Sequence, residues 1–561
     1  MKKSILALGA ATVIGGLGFA GSAQAIAYFG AAASNPTTVA PATDLALNPA
    51  GIGHILFVPY YTAQQGMGTL LTITNTDELN GKAVKVRFRG AANSDDVYDF
   101  TVMLSPGDVW TASITNQAGT ATLTVPTDET TCTLPARVNG AFNTLRLAPS
   151  LSAAAKALHV NEGYVEILNM ADVPPSLWAT ATSDFTGAAN PLFTTIRHKP
   201  HGSPVCDSTI LQSTGSNLSR TLHTSAVTDA YAAGLSAPTG QIMASFAVIN
   251  VADVANYGGA ATAIQAVVPA AAGSGNMNAN GRGNIVYSPQ VNGAFQFLTG
   301  TSSSLYTGDP LLRGNYIGTL WYDLPDMSTP YVTVPSAAAP LLQIADAARG
   351  MGAANALGKT NIINDYVNAP PDWNTDWVVA QPTRRYYAAV DYSAATLGAS
   401  IIWNIDMTGA TSTLTTPVRG NVTANPYSIL VADNTVKANN GTAMGTYACM
   451  SVFWGGYDRE ENGTSAGTSV SPGATALACG EVYTLSFATS LNPNGSPVLG
   501  AQVSNQVSSV PTPGTAGWAR VELGTAGGTL LPSVGYAATS MKTHIGTVTG
   551  NWGYLIPHRW N

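Results

Sequence analysis

Leu70-Leu71-Thr72-Ile73-Thr74-Asn75-Thr76, then Asp77 to Gly81, then Lys82-Ala83-Val84-Lys85-Val86-Arg87-Phe88-Arg89 is the stretch that decides the fold. In its second arm Val84, Val86 and Phe88 alternate with Lys85, Arg87 and Arg89. A period of two over that length predicts a strand with one face on a core and the other in water. The polar segment between the arms, ending in Asn80-Gly81, predicts a turn. Phe100, Val102 and Leu104 alternate again and stop at Ser105-Pro106-Gly107-Asp108, a second turn sequence. Three short strands joined by tight turns predict an antiparallel sandwich.

Working outward, the same grammar recurs in Gly163 to Met170, Ile242 to Val251, Tyr331 to Val334, Trp377 to Ala380, Ser400 to Met407, Glu481 to Phe487 and Trp518 to Leu523. Helical spacing is confined to Leu151 to Leu158, Pro340 to Met351 and Gly352 to Tyr366. These do not alternate with strands as parallel units require. The expected fold is therefore mainly β, built from several antiparallel β-sandwich modules, immunoglobulin-like or jelly-roll-like, with a few short helical inserts. A chain of 561 residues exceeds what one core sustains. Boundaries are expected at a leader, 1–25, an N-terminal sandwich, 26–150, a second β-rich module, 151–275, a central domain with short helices, 276–460, and a C-terminal region, 461–561. The Ala-, Gly- and Asn-rich run from Pro269 to Gly283 and the Gly-, Thr- and Ser-rich run from Asn462 to Gly473 are read as linkers or long loops. Ile167 to Val173 is echoed by Val248 to Val254, and Val138-Asn139-Gly140-Ala141-Phe142 by Val291 to Phe295, which suggests similarly built sheet modules.

The first residues have the grammar of a secretory leader. Lys2 and Lys3 precede an apolar run from Ile5 to about Phe19, and Ala23-Gln24-Ala25 is a small-x-small cleavage site. Export to the cell surface or the extracellular space is expected, with the periplasm as the alternative, and a mature chain beginning at Ile26. Loss of Lys2 and Lys3 moves the formal charge from -7 to -9. That balance argues against nucleic acid, which needs clustered positive charge. No later segment has the eighteen consecutive apolar residues of a membrane helix. Charged residues make up only 10% of the chain, against about 25% in an ordinary soluble domain, while hydrophobic residues reach 45%. Such a chain can build cores but has few ions with which to keep copies apart, so self-association is expected.

Cys132, Cys206, Cys449 and Cys479 allow three pairings, of which Cys132 with Cys206 and Cys449 with Cys479 join neighbours in sequence and are favoured. Asp95, Asp96 and Asp99 form a carboxylate group near Arg87 and Arg89. It is read either as a Ca²⁺ site, since that ion takes several oxygens, or as a charged hairpin tip making ion pairs. Asp372, Asn374 and Asp376, and Asp253 with Asn256, are weaker groups of the same kind. The histidines are scattered, though His198, His201 and Asp207 lie close in sequence. Gly358-Lys359-Thr360 ends like a phosphate loop but lacks its first glycine, where Ala353 stands. Glu162 and Glu166 would pair as glycosidase carboxylates only on a helix. No catalytic group is expected. Tyr60-Tyr61, Tyr386-Tyr387, Trp373 with Trp377, and Trp552 with Tyr554 can serve as sheet core, interface anchors or sugar-stacking platforms.

Three blocks carry a family resemblance: Leu56 to Thr62 with Gly68 to Thr76 and Lys82 to Arg89, ending in Leu104 to Trp110; Asp376 to Tyr387; and Asn551 to Trp560. Together they resemble a poorly described family of proteobacterial secreted or cell-surface proteins of surface-layer-like character. The resemblance spans both ends and the middle of the chain and brings no catalytic residues with it. It implies a structural protein that self-assembles into a surface layer or matrix; the alternative is an adhesin or glycan-binding protein, with envelope polysaccharide or lipopolysaccharide as partner.

Overall fold

The computed structural model describes residues 42, 44–144, 147–180, 183–200, 202–211, 231–268, 279–283, 356–370, 372–384, 388–390, 401–403, 437–442, 445–466, 476–487, 495–504, 512–523, 531–545 and 548–560. The chain is mainly β, and its sheets are antiparallel. The first sheet runs in the order Asp44–Asn48, Thr262–Val268, Ile55–Thr62, Glu162–Val173, Gly81–Gly90, Asp96–Leu104, Cys132–Leu134. The second runs Gly140–Ala141, Thr120–Thr124, Val109–Gln117, Met67–Asn75, Ile242–Asn250, Ala255–Ala260. Val84, Val86, Phe88 and Phe100 of the first sheet share a buried core with Leu71, Ile73, Trp110 and Val248 of the second. Phe100 and Trp110 meet across the two sheets with ring centres 5.3 Å apart.

A third sheet is built from the C-terminal half. Its order is Lys437–Thr442, Gly445–Asp458, Ala516–Glu522, Asn361–Ala369, Trp373–Ala380, Val534–Ile545, Val548–Pro557. An Ile363–Arg559 bridge returns the end of the last hairpin to the Asn361–Ala369 strand. Trp377 and His558 pack together beside that return, ring centres 5.1 Å apart. On one face of this sheet Val378, Ala380, Tyr536 and Ala538 enter the same core as the N-terminal sandwich, and Tyr536 meets Phe246 at 5.6 Å.

The strands expected around residues 70–76, 82–89 and 100–104 are present as Met67–Asn75, Gly81–Gly90 and Asp96–Leu104. Both favoured cysteine pairs are bonded, Cys132 to Cys206 and Cys449 to Cys479. The helix expected near residue 151 covers Ala153–Val160, where Ser152 caps it by accepting the Ala155 N–H at 3.2 Å. A further helix, Pro191–Ile196, begins with proline after the Asn190 cap. Of the segment expected as a helix from Gly352 to Tyr366, residues 356 and 357 are helical, but the chain turns to strand from Gly358–Lys359 and continues as the strand Asn361–Ala369, in which Ile362, Asn364, Tyr366 and Asn368 are the buried set. Its β-branched and aromatic residues, Ile362, Ile363, Tyr366 and Val367, favour the pleat over the helix once a neighbouring strand is present. Pro340 to Met351, Tyr331 to Val334 and Val291 to Phe295 lie outside the described residues.

The expected domain boundaries need correction. Glu162–Val173 pairs with both Ile55–Thr62 and Gly81–Gly90, and Ile242–Asn250 pairs with Met67–Asn75, so residues 26–150 and 151–275 supply one sandwich. The boundary at 460 also fails, because Gly463–Ala466 pairs with Gly445–Asp458 and described strands from both sides of it interleave in one sheet. Glycine- and threonine-rich stretches mark turns as readily as linkers, and non-local pairing leaves no trace in local composition.

Candidate functional site

The alternating strand Gly81–Gly90 is buried along its whole length, including the face expected in water. Lys85, Arg87 and Arg89 carry no exposed surface. Register explains how they are tolerated: Arg87 lies between Asp99 on one neighbour and Glu166 on the other. Lys85 Nζ is 2.6 Å from Asp99, Arg87 is 3.8 Å from Glu166, and Arg89 Nε is 3.3 Å from the same carboxylate. Burial lowers the Lys85 ammonium from its ordinary value while Asp99 opposes the shift. Asp95, Asp96 and Asp99 are thus buried, and Asp96 stands opposite Arg89 in the register. Among the described residues no three His, Cys, Asp or Glu side chains gather as a metal-ligand set. Of the three carboxylates read as a possible calcium group, Asp99 is ion-paired with Lys85 and all three lie in the buried polar layer of the sheet.

Other polar candidates have structural partners. Lys82 lies 2.8 Å from Asp77 and 2.9 Å from Asp172; burial opposes its charge, but the two carboxylates outweigh burial and hold its pKa above the ordinary value. Glu162 accepts the N–H groups of Gln502, Val503 and Ser504 at 2.6, 3.0 and 3.2 Å, and hydroxyls from Ser504 and Tyr60. Asp376 accepts the N–H groups of Val498 and Leu499 at 2.9 and 2.8 Å, and burial pushes its carboxyl up to about 6. These two carboxylates, one from the sandwich and one from the third sheet, hold the same loop. Glu162 and Glu166 lie on a strand, not a helix, and both are fully buried. Lys359 Nζ sits 3.9 Å from the centre of the Trp560 ring, in a two-residue strand paired with Leu531–Pro532. His198 contacts Ser105, Thr130 and Asp108, Asp207 caps the turn at Thr209, and His201 lies outside the described residues.

The C-terminal sheet presents aromatic rings outward. Tyr60, Tyr61 and Trp377 are core residues, but Trp373, Trp552 and Tyr554 are exposed, Trp552 by 63%. Register places Trp373, Met541 and Trp552 side by side across three strands, with Tyr554 two residues along. This is the face turned away from Val378, Tyr536 and Ala538, since side chains alternate along a strand. A second exposed group lies on neighbouring strands, where Tyr457 and Trp518 stack with centres 4.5 Å apart and planes 15° from parallel. Asp365 stands directly across from Trp518. Two residues along, Arg520 donates to Glu522 at 2.7 Å, with both side chains nearly half exposed, and its register partner Gly455 adds no side chain to that shelf. Signals for these rings were present as Trp-x-Tyr and Trp-x-x-x-Trp spacings. The Tyr457–Trp518 stack was missed because its members are far apart in sequence. Among the described residues no helix is long and apolar enough to cross a membrane. Comparison of the chain with protein-family models, curated proteins and solved structures finds no match.

Proposed function

We propose that this chain is an exported structural protein of the cell surface that associates with further copies of itself through the aromatic outer face of its C-terminal sheet. The observation that carries the reading is the combination of exposed rings with sequestered charge. At least six of the 24 basic and nine of the 31 acidic residues are buried, so the outer surface is poorer in ions than the composition suggests. Exposed Trp and Tyr supply large contact area at low conformational cost, which is the chemistry of interface anchors. The face also carries charges of both signs, Asp365, Arg520 and Glu522, so two identical copies can meet about a twofold axis with opposite charges opposed. Two disulfides suit an oxidising compartment.

Sedimentation velocity over a concentration series tests this. Wild-type protein is expected to gain mass with concentration, and a Trp518→Ser/Trp552→Ser double variant to remain a single copy over the same range. A wild type that stays dispersed throughout overturns the proposal. A second reading, contact with an envelope glycan, is favoured by the Tyr457–Trp518 stack beside Asp365, Arg520 and Glu522, since sugars stack on rings while their hydroxyls meet charged groups. Retardation of the wild type, but not of the double variant, in polysaccharide-containing native gels supports that reading.

A further inference from the structure

Asp458-Arg459-Glu460-Glu461-Asn462-Gly463-Thr464 closes a hairpin between the strand Gly445–Asp458 and its neighbour Gly463–Ala466. Asn-x-Ser/Thr, with x other than proline, is the acceptor pattern for an N-linked glycan in an exported chain, and it belongs on a surface turn. The pattern occurs at Asn217, Asn421, Asn440, Asn462 and Asn494. Asn217, Asn421 and Asn494 lie outside the described residues, and Asn440 lies within the strand Lys437–Thr442. Asn462 is the one that stands in a described turn. It is also the one with an acid two places before it, Glu460, where the others have Gly215, Arg419, Ala438 and Asn492.

The hairpin fixes this asparagine without hiding it. The Asp458 carboxylate accepts the backbone N–H groups of Glu460 and Asn462 at 2.9 and 2.8 Å, the Asn462 carbonyl accepts the Asp458 N–H at 3.1 Å, and Glu461 takes the left-handed φ of 66° that the reversal needs. Glu460, Glu461, Asn462 and Gly463 are all exposed. Asn462 Nδ2 donates one hydrogen to Asp458 at 3.0 Å; glycosylation replaces one of its two hydrogens and leaves the other for that bond. Among the described residues Gly463–Ala466 pairs on one side only, so Thr464 is released by opening a short edge. We propose that Asn462 is an N-glycosylation site. Nδ2 bonds to the anomeric carbon of an oligosaccharide carried on a lipid diphosphate, the bond from that carbon to the phosphate oxygen breaks with its electron pair leaving on the diphosphate, and the displaced Nδ2 proton passes to a base of the transferase. Thr464 supplies the hydroxyl, and Glu460 the carboxylate, by which the transferase reads the site. The Gly463 backbone lies against Tyr457, a Cβ there falling 3.0 Å from the ring, so the first sugar is attached beside the Tyr457–Trp518 stack. The inference rests on the export reading above and does not need self-association.

The test uses the full chain purified from the cells that produce it, digested with protease and read by mass spectrometry. The peptide holding Asn462 is expected to carry added saccharide mass. Asn462→Gln and Thr464→Ala are expected to lose it, Thr464→Ser, which keeps the hydroxyl, to retain it, and Glu460→Gln to lower the occupied fraction severalfold. The N-terminal peptide of the same digest reports export independently. A bare Asn462 in a chain that begins at Ile26 overturns the glycosylation alone; a bare Asn462 in a chain that keeps residues 1–25 overturns the export reading with it. Deamidation at Asn462-Gly463 as the only change, saccharide confined to the other four asparagines, or saccharide that survives Thr464→Ala also overturns the assignment.

Discussion

Asp376 shows how a single buried carboxylate sets a pH dependence. Burial raises its pKa to about 6 despite the Ser496 hydroxyl and two backbone N–H donors, whereas an unfolded chain returns it to an ordinary carboxylate value. The folded state therefore holds a proton that the unfolded state has released between about pH 4 and 6, so the stability this group contributes is present at low pH and lost as pH rises through 6. Asp172, also pushed up to about 6 by burial, acts in the same direction. His54 and His558, which burial holds down at about 3, act in the other: their contribution is lost as pH falls below 6.5. Asp376→Asn removes one titration and leaves the rest. Whatever its constant cost, the variant should gain on the wild type by roughly 2–3 kcal/mol between pH 4 and 7, read by urea unfolding at each pH. A difference that does not change with pH sinks the assignment.

At the scale of the element, Glu162–Val173 is the strand on which the first sheet depends. It has neighbours on both edges, and every residue in it is buried. Gly163 sits where a Cβ would come within 1.8 Å of the Arg89 carbonyl and 2.8 Å of the Tyr61 ring. Gly163→Ala is expected to cost about 3 kcal/mol, because backbone must move to admit it; a urea midpoint equal to that of the wild type refutes this. The period-two pattern of Lys82 to Arg89 made the strand legible, and with it the sandwich. It could not reveal that Lys85, Arg87 and Arg89 would be buried, because alternation distinguishes two faces without saying what covers the second. The covering carboxylates, Asp99 and Glu166, come from different strands, and the Tyr164 hydroxyl contact with the Pro382 carbonyl reaches across 218 positions. Asn361–Ala369 was misread for a related reason: alanine and spaced aliphatics before it suggested a helix, and its partner Ala516–Glu522 is supplied much later. The disulfide pairs were legible from proximity alone. The aromatic face was half legible, since Trp552 and Tyr554 stand together but Tyr457 and Trp518 do not.

For the whole molecule, the Glu162 carboxylate joins the halves. Five hydrogen bonds converge on it, four of them from the Gln502–Ser504 segment, some 340 positions along the chain. Burial pushes this carboxyl up, and those donors hold it back. Glu162→Gln replaces an acceptor by an amide N–H that faces other N–H groups, at a cost of roughly 3 kcal/mol. Scanning calorimetry should then show the C-terminal sheet releasing ahead of the sandwich, where the wild type melts in one step; one unchanged endotherm rejects the coupling. The central place of Glu162–Val173 has a temporal consequence as well. Its flanking strands, Ile55–Thr62 and Gly81–Gly90, leave the ribosome before it, and at ordinary synthesis speeds the last of them waits roughly ten seconds for the strand that belongs in the slot. During that interval two strand edges stand open to any passing partner, a hazard that a holding chaperone would relieve.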